Sequence, residues 1–227
     1  MNSKPRLAVL ASGTGSNLRA LIEAVESGQL EAEIALVVSN RRSGALEVAS
    51  RAGIEGLYLP LADTKDSQLR HRYTDELTRL LKARNIDLVI MAGWMLVLTE
   101  EIFEAFPNRV INLHPALLPD GPEDWVISSS GHRLPALRGA KAVQMALELG
   151  LPVTGSTVHY ATPKVDCGPV IDRVEVPIRP GDTPETLHGR IKEAEHRMLP
   201  VAVAKALKHL KASSTTAGNG NSYNVQS

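Results

Sequence analysis

The chain has 227 residues, 25 basic and 25 acidic, for a formal net charge of zero, with 43 % hydrophobic and 22 % charged residues. That is an ordinary soluble composition, and the charge balance argues against a general nucleic-acid or membrane-surface binder. A single cysteine, Cys167, excludes an intrachain disulfide and a cysteine-built metal site. It fits a reducing cytoplasm. The apolar run after M-N-S-K-P-R is too short for a signal peptide or a membrane span, so a soluble, cytoplasmic protein is expected.

Residues 1–5 read as an extension ahead of one folded domain, 6–212. Residues 7–11 form a short apolar strand, followed by S-G-T-G-S-N and a helix whose apolar face is Leu18, Leu21, Ile22 and Val25. Ser16 or Asn17 can cap that helix. The N–H groups of Gly15, Ser16 and Asn17 would then open toward an anion at a helix N-terminus. The pattern lacks the third glycine of a dinucleotide fingerprint and the Gly-Lys-Ser/Thr of a Walker loop. A phosphate site and a bare strand-to-helix turn both remain open here.

Strands follow at 34–39, 57–59, 87–92 and 109–114, with helices at 45–52, 66–84 and from 99 to about 106. Gly53 closes the second helix, and Thr99-Glu100-Glu101 carries the capping signal of the fourth. Residues 94–98, W-M-L-V-L, form an apolar loop. The strand–helix rhythm predicts an α/β fold with a doubly wound, mostly parallel sheet. Ligands in such sheets bind beyond the carboxyl ends of the strands, where the loops 12–17, 93–98 and 112–119 meet.

Residues 120–135 are turn-rich without a period and read as a long surface loop. A helix at 139–149, strands at 153–160 and 170–176, and helices at 182–195 and 198–210 complete the domain, the last continuing after or through a kink at Pro200. Residues 213–227 have almost no apolar content and are expected to be a disordered tail.

Asn112, His114 and Asp166 stand at strand ends beside turn residues. Asn112 and His114 share a strand face, and Pro115 ends the pairing. Each has a structural reading: a satisfied histidine, a turn asparagine, an Asx turn. Together they suit acyl chemistry, because a carboxylate charges and orients an imidazole, and imidazolium plus amide can hold an oxyanion. No G-x-S-x-G elbow is present, and no histidine spacing or carboxylate cluster suggests a metal, so none is expected.

These motifs resemble a known family. S-G-T-G-S-N-L at 12–18, D-L-V-I-M-A-G-W-M at 87–95, N-L-H-P-A-L-L-P at 112–119, T-G-S-T-V-H at 154–159, D-C-G-P-V-I at 166–171 and E-H at 195–196 follow the order of the glycinamide ribonucleotide formyltransferases, within the folate-dependent formyltransferase superfamily. The likeness spans roughly 6–210. It implies a Rossmann-like formyltransferase fold and formyl transfer from 10-formyltetrahydrofolate to glycinamide ribonucleotide in purine synthesis, by a monomer or homodimer. It implies a catalytic trio of Asn112, His114 and Asp166, ribonucleotide binding by Gly15, Ser16, Asn17 and Glu195, and folate contacts at Arg70, Met95, Leu96, Val97, Leu98, Thr162 and Val165. Thr157 falls where the family has a small hydroxyl beside the site. On this reading His114 is a charged oxyanion donor whose pKa rises above about 6.5.

The loop 120–135 departs from the family as an insertion, either a lid or a neutral excursion. Cys167 replaces a smaller residue. The alternative function is a formyltetrahydrofolate hydrolase, which passes the formyl group to water. A transformylase acting on methionyl-tRNA would need an RNA-binding domain and a basic surface. A non-enzymatic phosphometabolite binder would not need the trio.

Overall fold

Alternating apolar runs and amphipathic helices fold as the pattern predicts. The structure, a computed structural model, describes residues 4–218, so 1–3 and the end of the expected tail, 219–227, lie outside the described residues. β1 (Arg6–Leu10), α1 (Ser16–Glu26), β2 (Glu33–Ser39), α2 (Gly44–Arg51), β3 (Gly56–Tyr58), α3 (Ser67–Ala83), β4 (Leu88–Ala92), α4 (Glu100–Ala105) and β5 (Val110–His114) make up the first half. The second half holds β6 (Trp125–Ile127), β7 (Arg133–Pro135), α5 (Ala142–Glu148), β8 (Val153–Tyr160), β9 (Val170–Pro177) and α6 (Pro184–Gly218).

The main sheet has the order β3-β2-β1-β4-β5-β8-β9. The first five strands pair in parallel, while β5–β8 and β8–β9 are antiparallel. One face of the sheet packs on α1, α2 and α6 through Leu7, Val9, Ile90, Ile111 and Val158. The other packs on α3 and α4 through Ala8, Leu10, Val89 and Val110. Strand order reverses between β1 and β4, and a crevice opens there beyond the strand ends.

The turn after β1 is held by glycine. Gly15 has φ 80°, and a Cβ there would lie 2.8 Å from the Ala45 Cα. That contact seats the turn against the start of α2.

Several expectations are corrected. Residues 120–135 are not a bare loop: β6 and β7 form an antiparallel hairpin, and its inward residues Val126 and Leu134 pack on Leu117 and Val153. Three-residue strands are too short for periodicity to reveal. α6 passes through Pro200 unbroken. A helical proline costs about 3 kcal/mol. Burial of Leu199, Ala202, Val203 and Ala206 on the sheet offsets it. The same helix continues as far as Gly218, into the stretch expected to be unstructured. Neither Ser16 nor Asn17 caps α1; the N-cap is Gly15, without a side-chain bond. Thr99 is the N-cap of α4, also without a bond to the helix backbone. Its hydroxyl bonds the Glu101 carboxylate instead.

Candidate active site

A cleft of about 660 Å³ runs along the crevice, from the start of α1, past the ends of β4 and β5, to the loop before β9. Register builds its floor. In the β5–β8 ladder Asn112 stands opposite His159, and His114 opposite Thr157. The four side chains therefore share one sheet face.

Asp166 closes the group from the loop after β8. Its backbone is left-handed, φ 52°. Its carboxylate is almost fully buried and meets donors on both oxygens. Oδ1 accepts from Asn112 Nδ2 at 3.1 Å and lies 3.4 Å from His159 Nε2. Oδ2 accepts from the Gly139 N–H at 2.9 Å and lies 3.3 Å from His114 Nδ1. Burial alone would raise the Asp166 pKa; the bond to His159, the His114 charge and the Gly139 N–H outweigh it and hold the carboxyl at about 2.

His114 is 4 % exposed. Its Nε2 donates to the Leu137 carbonyl at 2.6 Å. Burial pushes its pKa below the ordinary value, against the upward pull of Asp166 and the Leu137 carbonyl. The expected rise is thus corrected. The strand end at His114 is covered by residues 137–139, so the cost of burying a cation dominates.

His159 was not singled out in the sequence. Its Nδ1 donates to the Tyr160 carbonyl at 3.0 Å, which turns Nε2 toward Asn112, 3.3 Å away, and Asp166. Only register with Asn112 gives it meaning. Thr157 is fully buried and does not line the cleft. Its hydroxyl donates to the Ala116 carbonyl at 2.8 Å and accepts from the Leu118 N–H at 3.0 Å, fixing the turn after β5.

Gly15, Ser16 and Asn17 line the far end of the cleft at the start of α1, where first-turn N–H groups favour an anion. Asn17 Nδ2 donates to Glu195 Oε2 at 2.9 Å. The other Glu195 oxygen lies 2.9 Å from Ser156 Oγ, which is also 2.9 Å from the main-chain oxygen of His114. The buried Glu195 thereby joins α1, α6 and the site strands. Met95, Leu96, Val97, Leu98, Thr162 and Val165 line the opposite end. Met95, Val97 and Val165 are exposed apolar groups, while Leu96 and Leu98 are buried beneath them. Arg70 does not line this cleft. It lies in a second depression of about 300 Å³ that shares Met95, Leu96 and Val97 as a wall. The hairpin 120–135 contributes no residue to the cleft lining.

Amide, imidazoles and a buried carboxylate beyond the strand ends of a doubly wound sheet, between a helix N-terminus and an apolar loop, define a site suited to group transfer. Residues 5–203 match the formyl transferase family. The chain is 38 % identical to a phosphoribosylglycinamide formyltransferase of Mycobacterium tuberculosis, over 90 % of this chain and 86 % of that one. It is also 38 % identical, over 88 % of its length, to the trifunctional purine biosynthetic protein adenosine-3 of Gallus gallus, of which it spans 18 %. The crystal structure of glycinamide ribonucleotide transformylase 1 from Symbiobacterium toebii superposes with a TM-score of 0.77 at 37 % identity, covering 88 % of this chain and 86 % of that one. The chain belongs to the formyl transferase family, in its phosphoribosylglycinamide formyltransferase branch.

Proposed function

We propose that the protein transfers the formyl group of 10-formyltetrahydrofolate to the amine of glycinamide ribonucleotide, a step of purine synthesis. The observation that carries this reading is the continuous cleft: the glycine turn at the start of α1 at one end, the apolar loop at the other, and Asn112, His114 and Asp166 between them. In the reaction the amine nitrogen bonds to the formyl carbon, the bond from that carbon to N10 breaks, and the amine proton passes to N10. The folate supplies the formyl carbon.

The protein's residues act around that exchange. Gly15, Ser16 and Asn17 hold the phosphate, and Glu195, bonded to Asn17, serves the ribonucleotide beside them. Met95, Val97 and Val165 supply apolar surface for the pterin, with Leu96, Leu98 and Thr162 behind and beside them. Arg70 serves the outer end of the folate from the adjoining depression. Asn112 uses one N–H on Asp166, and the second, directed at His159 Nε2 in this structure, is exchanged to the formyl oxygen as charge grows there. The His114 Nε2–H, bonded to Leu137 in this structure, joins it by exchanging that carbonyl for the oxyanion. Asp166 orients the imidazole and favours its charged form. Loss of one such donor costs about 2.7–4 kcal/mol of transition-state stabilisation.

No helix among the described residues is long and apolar enough to cross a membrane, and a cytoplasmic location is part of the same proposal. The test is to incubate the protein with 10-formyltetrahydrofolate, with and without glycinamide ribonucleotide, and follow tetrahydrofolate formation. Turnover that requires the ribonucleotide is expected. Turnover without it overturns the reading in favour of the hydrolase, and no turnover in either case overturns both.

A further inference from the structure

We infer that Arg138 is a positioning residue for Asp166, anchored by the hairpin insertion; the inference rests on the formyl-transfer reading. The guanidinium donates to three main-chain oxygens in two segments. Nε bonds the Asp166 oxygen at 3.0 Å. Nη2 bonds the Glu123 oxygen at 2.6 Å and the Gly121 oxygen at 3.3 Å. The nearest carboxylate, Asp124, is exposed and 3.9 Å away. Arg138 therefore acts as a cross-link between the turn leading into the hairpin and the peptide of Asp166.

Asp166 needs such a hold. A left-handed backbone at a residue other than glycine is disfavoured by about 1–2 kcal/mol. That conformation turns the carboxylate back under Asn112, His114 and His159. The residues flanking Arg138 touch the same group: the Leu137 oxygen accepts from His114, and the Gly139 N–H donates to Asp166. Residues 137–139 thus form a clamp over the imidazole and the carboxylate, and Arg138 ties the clamp down.

The hairpin supplies a firm anchor. Val126 and Leu134 are buried on Leu117 and Val153. At the tip, Ser129 Oγ donates to Glu175 of β9 at 2.7 Å. The insertion is neither a lid nor a neutral excursion on this reading, but the fixed end of a brace whose other end is Asp166. A planar fork reaches both segments at once; a lysine ammonium is a single point donor and does not replace it.

The test compares Arg138→Ala and Arg138→Lys with Trp125→Ala, a change on the exposed face of the hairpin. Three readouts are taken on folded protein: the split between kcat and KM, the ¹⁵N ring signals of His114 and His159, and recovery with added guanidinium. Arg138→Ala is expected to lower kcat about 10–100-fold, as misplacement of reacting groups does. KM for both substrates should stay within about twofold. Both ring signals should move, and guanidinium should restore part of kcat. Arg138→Lys should fall between, and Trp125→Ala should match the parent. If Arg138→Ala does not fold, Arg138→Lys carries the same readouts. An unchanged kcat per folded molecule, or unmoved ring signals, overturns the proposal. Absence of ribonucleotide-dependent turnover in the parent overturns the functional reading instead, and the ring signals still decide the positioning role.

Discussion

Replacing Asp166 by Asn takes a charge from the centre of its donors while keeping its shape. The Asp166 carboxyl is held at about 2, against an ordinary 3.8. At 1.36 kcal/mol per unit, that preference for the charged form amounts to about 2 kcal/mol. The amide brings a further cost. Both oxygen positions face a donor, the Asn112 amide on one side and the Gly139 N–H on the other. Either orientation sets an NH₂ against one of these donors and leaves it unpaired, at about 1–3 kcal/mol. The folded state should lose roughly 3–5 kcal/mol at pH 7. Because the folded-state pKa is depressed, the charge-dependent part is complete above 3.8 and fades as pH falls towards 2. Urea unfolding of both proteins at pH 7 and at about pH 3 measures it, and the gap should narrow at the lower pH. Turnover of the variant should drop about 10²–10³-fold. A variant within about 0.5 kcal/mol of the parent at pH 7, with parental turnover, would refute the reasoning.

His114 should titrate below its ordinary 6.5 in the free protein, because burial outweighs Asp166 and the Leu137 carbonyl. In ¹⁵N titrations a midpoint at or above that value contradicts the burial argument, and Asp166→Asn should lower it further. A depressed histidine also makes the fold less stable as pH drops below 6.5 toward the folded midpoint, which urea titrations at a series of pH values will register. Gly15→Ala demands φ 80° of alanine and places a methyl 2.8 Å from the Ala45 Cα. It should cost about 1 kcal/mol or more and raise KM for the ribonucleotide with little effect on folate binding, measured by melting and steady-state kinetics. Glu195→Ala leaves Asn17 Nδ2 without its buried acceptor. A loss of about 1–3 kcal/mol and a raised ribonucleotide KM are expected, and a parental KM would remove Glu195 from the substrate site.

The parallel half was legible because β1, β2 and β4 each carry a continuous apolar run, as strands buried on both faces must. Asn112 and His114 were legible as polar residues at the end of a strand, and Asp166 as a polar residue in the turn-rich loop that follows β8. What escaped reading depends on distant partners. Asn17 looks like a cap in isolation, but its amide is engaged by Glu195 on another helix. His159 is one residue in an alternating strand until register sets it opposite Asn112. The His114 pKa turned on a cover contributed by 137–139, which no local pattern announces. The hairpin escaped because its strands are shorter than any period and are held by packing on Leu117 and Val153.

The bond between Asn17 and Glu195 joins residues 178 positions apart. Closing such a loop is entropically slow, and nothing local rewards it until both ends have docked. During synthesis the first five strands can emerge and begin to pair, yet the α1 end of the cleft must wait for α6. A nascent chain stopped before Glu195 would have an α/β sheet without a finished site. Formyl transfer is in this sense a late product of folding, appearing only when the last long helix has come back to the first.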